Sequence, residues 1–178
     1  TCALPISAPD WPSGVSVQAE SGIVIDADTG TVLWGQNIHN QYFPASITKI
    51  MTALIVIETC SLDETVTFSH NAVFNVEAGS SNAGINEGDK LSVKDCLYAL
   101  LLKSANEAAN ALAEHVAGST EAFADMMNAK AKELGCTDTH FANPSGLNDP
   151  EHYTSTYDMA LIARAAFLNP TFEEIDST

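Results

Sequence analysis

The longest apolar stretch of the chain, "YFPASITKIMTALIVIETC" from Tyr42 to Cys60, predicts a helix that is greasy on nearly every face. Pro44 suits its N-terminal turn. Upstream, "SGIVIDADTGTVLWGQN" (21–37) sets two β-branched, apolar stretches on either side of Asp-Ala-Asp-Thr-Gly, a hairpin signature. Residues 1–20 are rich in Pro, Ser and Asp and read as an irregular lead-in. Downstream, "LDETVTFSHNAV" predicts a short extended piece and a helix capped near Ser69, and 79–88 form a loop of small residues. Ser92 and Asp95 make a capping box that opens "VKDCLYALLL". "SANEAANALAEHVAG" predicts a helix ending at Gly118. Another, "STEAFADMMNAKAKELG", is stopped by Gly135 and carries Lys130 and Lys132 where the macrodipole favours cations. After the polar loop "THFANPSGLNDPEHY", Ser155 and Asp158 cap a last helix, "YDMALIARAAFLN", which Pro170 is expected to terminate.

The pattern is one hairpin followed by a mostly helical body, with neither an internal repeat nor a linker. It predicts an α+β chain with a lead-in over 1–20 and one domain over 21–178. An isolated hairpin is marginal, and no further strand pattern precedes Thr178, so the expectation is a piece of a longer protein. The two unpaired hairpin edges are a pairing hazard, which makes self-association an expectation too.

Lys49 interrupts the greasiest helix three residues after Ser46. Positions three apart share a helical face, so the two side chains can meet. Near a helix N-terminus, unpaired N–H groups favour developing negative charge. A serine needs an adjacent base, and a lysine desolvated among Ile47, Ile50 and Met51 has its pKa pushed down towards accepting a proton. The bland alternative is a chance S-x-x-K whose amine snorkels to water.

Composition narrows the field. The 178 residues are 46% hydrophobic and 17% charged, a globular balance. A net charge of −16 would repel phosphate backbones and anionic membranes, which excludes nucleic acid as a partner class. Cys2, Cys60, Cys96 and Cys136 form no C-x-x-C pair, which speaks against zinc and thioredoxin-type chemistry. Cys96 falls on an apolar helix face and reads as a small hydrophobe. The five histidines make no H-E-x-x-H, and no metal or cofactor is implied. The chain opens on Thr1 without a basic-then-apolar leader, so its start reads as processed or cut.

Three S-x-N triplets occur, at Ser69, Ser80 and Ser104. Ser104-Ala105-Asn106 stands out because it breaks two helical patterns at a tight junction, where a hydroxyl and an amide can face one cleft. The structural alternative for Ser104 is a simple N-cap. With these triplets, "IVIDADTGTVLWGQN", "PASITKIMTALIVIE", "MMNAKAKELGCTDTHFANPSGLND" and "YDMALIARAAF" make the chain resemble the D-alanyl-D-alanine carboxypeptidases, low-molecular-weight penicillin-binding proteins of the serine peptidase type. The resemblance runs in order from about Ser21 to the last residue.

It implies the penicillin-recognising, β-lactamase/DD-peptidase-like fold, truncated to one hairpin plus a helical cluster. It also implies that Ser46 attacks the carbonyl between two terminal D-alanines of a peptidoglycan stem peptide, with Lys49 as general base. Ser104 would relay a proton to the leaving amine, Asn106 would bind the substrate backbone and hold Lys49, and the Ser46 N–H would give half an oxyanion hole. β-Lactams would trap the acyl-enzyme, and the address would be exported and extracytoplasmic. Two departures stand out. None of the six lysines is followed by Thr-Gly or Ser-Gly, so the family's K-T-G element is absent, and Ala105 replaces a frequent glycine. Ser145 in "NPSGL" stands where many relatives carry histidine and is assigned no role.

Other readings fit less well. A class A β-lactamase needs a glutamate for deacylation, and none stands just upstream of "FLNP". Asp28-Thr29-Gly30 matches the aspartic-protease triplet but is better read as a hairpin turn in a helical chain. Asp26 and Asp28 open a calcium-loop pattern that Gly30 and Thr31 break. A noncatalytic cell-wall-binding domain of the same fold is the rival from another class.

Overall fold

A computed structural model describes residues 17–178. Cys2 and most of the predicted lead-in lie outside them. The predicted hairpin is present as β1 (Gly22–Ile25) and β2 (Val32–Gln36), an antiparallel pair with a bulge between Val24 and Ile25. Its turn is closed locally, because Asp26 Oδ1 accepts from the backbone N–H and the hydroxyl of Thr29. Arg164 donates to the carbonyls of Ala27 and Asp28, tying that turn to a helix more than 130 residues away. Asp28-Thr29-Gly30 is therefore a turn.

The chain continues through β3 (Gln41–Tyr42), a 3₁₀ turn (Ala45–Thr48) and α1 (Lys49–Thr59). Then follow β4 (Thr65–Thr67), α2 (His70–Phe74), β5 (Lys90–Ser92), α3 (Val93–Leu102), α4 (Asn106–Ala117) and α5 (Thr120–Glu133). The last elements are β6 (Thr154–Ser155), α6 (Thr156–Phe167) and α7 (Pro170–Asp176). Two short antiparallel ladders, β3 with β6 and β4 with β5, add to the hairpin. The short extended piece expected within "LDETVTFSHNAV" is β4, whereas no sequence pattern marked β3, β5 or β6, since strands of two or three residues carry no readable alternation.

Serine caps start the helices. The hydroxyls of Ser69, Ser92, Ser119 and Ser155 accept the N–H three residues on, opening α2, α3, α5 and α6. Ser92 supplies the serine half of the Ser92–Asp95 capping box, its hydroxyl accepting the Asp95 N–H, while the Asp95 carboxylate accepts from that hydroxyl rather than from the Ser92 N–H. One expectation is corrected. Pro170 does not simply end the last helix: α6 stops at Phe167, and Pro170 fills the first turn of α7, capped by Asn169. Proline lacks the N–H that a first turn leaves unused, so it opens a helix as readily as it closes one.

α1 is the central rod, packed against α3, α4, α5, α6 and α7. Its Met51, Ala53, Leu54, Ile55 and Val56 are all buried, with Leu97, Leu100, Leu112, Phe123, Met127 and Ile162 around them. α4 presents Ala108, Ala109, Ala111 and Ala113, and these small side chains let it lie close to its neighbours. Cys96 is fully buried in this core, as its apolar face predicts. No described helix is long and apolar enough to cross a membrane.

Candidate active site

Ser46 lies in the 3₁₀ turn that leads into α1, and Lys49 is the first residue of α1 itself. Ser46 is exposed whereas Lys49 is 2% exposed, so a solvent-facing hydroxyl sits over a buried amine. The Nζ of Lys49 is 3.3 Å from Ser46 Oγ, 2.8 Å from Asn106 Oδ1 and 2.6 Å from the carbonyl oxygen of Ser145. Three acceptors thus surround a group with three N–H bonds. Loss of one proton leaves two N–H bonds for Asn106 and Ser145, and the lone pair faces Ser46. Burial lowers the Lys49 pKa from 10.5 to about 8, and the Glu107 carboxylate offsets part of that drop. A lysine held this way reaches its basic form near neutrality.

Asn106 opens α4 and is buried. Its Oδ1 accepts from Lys49, which turns the amide Nδ2 donor to the opposite side. Its own N–H donates to the Ser81 carbonyl, joining α4 to the loop of small residues. Glu107, also buried, strengthens that joint by accepting from the N–H of Ala83.

Ser104 occupies the α3–α4 junction with φ +54°, a conformation a serine seldom adopts. It is not the N-cap. Ala105 takes that position, and the buried Ser104 hydroxyl has no hydrogen-bond partner among the described residues. The capping explanation therefore falls away. Strained backbone and unmet hydroxyls of this kind cluster at functional sites. Ser69, by contrast, is an N-cap whose hydroxyl also donates to Glu114.

Part of the polar loop 139–153, the segment 142–147, forms the second wall of the lysine site. Asn143 Oδ1 accepts from the N–H groups of Ser145 and Gly146 and from the Ser145 hydroxyl, fixing the turn. Thr52 donates to the Pro144 carbonyl from inside α1. Gly146 (φ +83°) lies so close to the turn that carries Ser46 that a Cβ there would sit 1.9 Å from the Ala45 carbonyl oxygen. Ala45, next to Ser46, is itself left-handed, at φ +48°. Buried His152 completes the wall. Its Nδ1 accepts from the Ala142 N–H, so its proton is on Nε2 and is donated to Thr48 Oγ1. Burial lowers its pKa from 6.5 to about 4, so the ring is neutral at physiological pH.

Sequence reasoning missed the role of Ser145, and nothing in its side chain could have signalled it, because a main-chain carbonyl carries no residue identity. Cys60, Glu64 and His115 also converge, far from Ser46, although their spacing forms no motif.

The arrangement supports proton transfer from an exposed serine to a buried amine. We expect acylation of Ser46 to fall about tenfold for each pH unit below 8 and to level off above it. A rate that stays flat between pH 6 and 8, measured by stopped-time mass spectrometry, would remove Lys49 as the base.

The chain is 39% identical over 157 residues to the D-alanyl-D-alanine carboxypeptidase DacF of Bacillus subtilis, spanning 85% of this chain and 40% of that protein. It is 38% identical to DacD of Escherichia coli over 165 residues, 88% of this chain and 42% of the relative. Penicillin binding protein 6B from Escherichia coli superposes with a TM-score of 0.91 at 35% identity, covering 97% of this chain and 57% of that structure. DacD from Francisella tularensis gives 0.87 at 37% identity, over 93% and 41%. The chain thus spans about two fifths of the length of these two carboxypeptidases. The two solved structures share the α+β, DD-peptidase-like fold of this chain over the matched part, and residues 7–178 match the family model described as peptidase S11, D-alanyl-D-alanine carboxypeptidase. The chain belongs to the D-alanyl-D-alanine carboxypeptidase family.

Proposed function

We propose that the protein acts as a serine D-alanyl-D-alanine carboxypeptidase on peptidoglycan stem peptides, outside the cytoplasmic membrane. The observation that carries the reading is the buried Lys49 amine, which meets Ser46 Oγ at 3.3 Å while Asn106 and Ser145 take its other two contacts.

Ser46 Oγ attacks the carbonyl carbon of the penultimate D-alanine as its proton passes to Lys49 Nζ. Collapse of the tetrahedral adduct breaks the C–N bond, and the departing D-alanine amine takes up a proton through the unpartnered Ser104 hydroxyl. Asn106 Nδ2 donates to the substrate backbone. Water then cleaves the ester, returning Ser46. β-Lactams present a strained amide to the same serine and stop at the ester. The residues provide the nucleophile, its base and one substrate donor without metal or cofactor.

Intact mass after incubation with benzylpenicillin tests this. A single adduct is expected on the wild-type chain and none on Ser46→Ala. An unmodified wild-type chain, together with an unmodified longer protein that supplies a K-T-G strand, would overturn the catalytic reading and favour a noncatalytic wall-binding domain of the same fold.

A further inference from the structure

α1 and α4 begin side by side at the site, where Lys49 meets Asn106. They also meet at their far ends. α1 closes at Cys60, about 16 Å from Lys49 at 1.5 Å per residue, and the following turn carries Glu64. His115 lies in the last turn of α4. The Cys60 thiol sulfur, a Glu64 carboxylate oxygen and a His115 ring nitrogen all lie within 4.8 Å of one another.

Two features distinguish this from a surface ion pair. His115 Nε2 already points at Glu64 Oε2, 3.0 Å away, and its side chain is only 23% exposed, so the ring is held in place. The other Glu64 oxygen accepts the Ser61 N–H at 2.6 Å, which fixes the carboxylate. An imidazole and a carboxylate are therefore preorganised around a half-buried thiol. Four-coordinate zinc, with ligands at about 2.0–2.3 Å, requires separations of about 3.3–3.6 Å, within reach of small rotations about the Cys60 and Glu64 side-chain bonds.

We propose that Cys60, Glu64 and His115 bind a zinc ion that clamps the far end of the α1–α4 pair, with water in the fourth position. This stands against the expectation from cysteine spacing that no zinc site exists. A thiolate and an imidazole select a borderline metal over calcium or magnesium, which prefer oxygen. On binding, Cys60 releases its thiol proton to solvent as the metal–sulfur bond forms, and the proton that His115 Nε2 donates to Glu64 leaves that nitrogen, the ring taking its other tautomer with the proton on Nδ1, so that the Nε2 lone pair can meet the metal.

Cobalt(II) is the first probe, added to the reduced chain. A thiolate-to-cobalt charge-transfer band should appear at one equivalent and vanish when zinc displaces it. Cys60→Ser should abolish the band, and Glu64→Gln, a half-exposed position that leaves packing intact, should weaken cobalt binding at least about tenfold. Zinc should raise the Tm of the wild-type chain by roughly 5–10 °C at saturating metal, and calcium should not. No band on the wild-type chain overturns the site. So does a band that survives in Cys60→Ser, or wild-type affinity in both Glu64→Gln and His115→Ala. Circular dichroism confirms that each variant is folded before its spectrum is read.

Discussion

Lys49→Met is expected to lower acylation of Ser46 by about 10³-fold while leaving the melting temperature within a few degrees of wild type. Methionine matches the length and apolar stem of lysine but has no lone pair basic enough to take the serine proton. The fold tolerates it because two effects oppose. Holding the ammonium where its pKa has dropped from 10.5 to about 8 costs about 3 kcal/mol at neutral pH, and the substitution removes that cost. Against this, Asn106 Oδ1 and the Ser145 carbonyl lose their donor, at about 1–3 kcal/mol each. The sign follows from linkage: a lysine with a depressed folded pKa destabilises the fold while charged and ceases to do so above its unfolded value. Adduct formation within tenfold of wild type would show that some other group deprotonates Ser46.

Gly146→Ala is expected to cost about 3 kcal/mol or more of stability and about 10²-fold in acylation, although it adds one methyl group to a residue outside the Ser46–Lys49 pair. The added Cβ would sit 1.9 Å from the carbonyl oxygen and 2.5 Å from the carbonyl carbon of Ala45. Both are backbone atoms, so no rotamer change relieves the clash. The chain must part there, carrying the Ser145 carbonyl away from Lys49 and the Ala45–Ser46 turn away from its seat. Gly79→Ala is the control. It has the same left-handed φ (+81°) but nothing within 4 Å of the new Cβ, so only the backbone preference of about 1–2 kcal/mol is lost. If both variants melt and acylate alike, the close approach at Gly146 does not position Ser46.

Most local elements could be read along the chain. The hairpin followed from β-branched runs around a turn, and the serine caps from side chains that satisfy an N–H three residues on. The Ser46–Lys49 pair was legible because both lie within one helical turn, where spacing alone dictates proximity. β3, β5, β6 and α7 were not, since they are too brief to carry a period.

What surrounds Lys49 is different in kind. Asn106 is 57 residues away and the Ser145 carbonyl 96, and no local rule links such positions. The triplet Ser104-Ala105-Asn106 could be singled out among three, yet only the packing of α3, α4 and α1 showed that Ser104 caps nothing and that Asn106 meets the amine. The close fit of Gly146 against Ala45 and the convergence of Cys60, Glu64 and His115 likewise exist only once the helices are stacked. The sequence by itself determined which residues cap, turn and pair within a helical turn, because those effects act over a few bonds. The tertiary structure alone decided the lysine's acceptors and basicity, because desolvation and long-range contacts depend on which surfaces the core brings together.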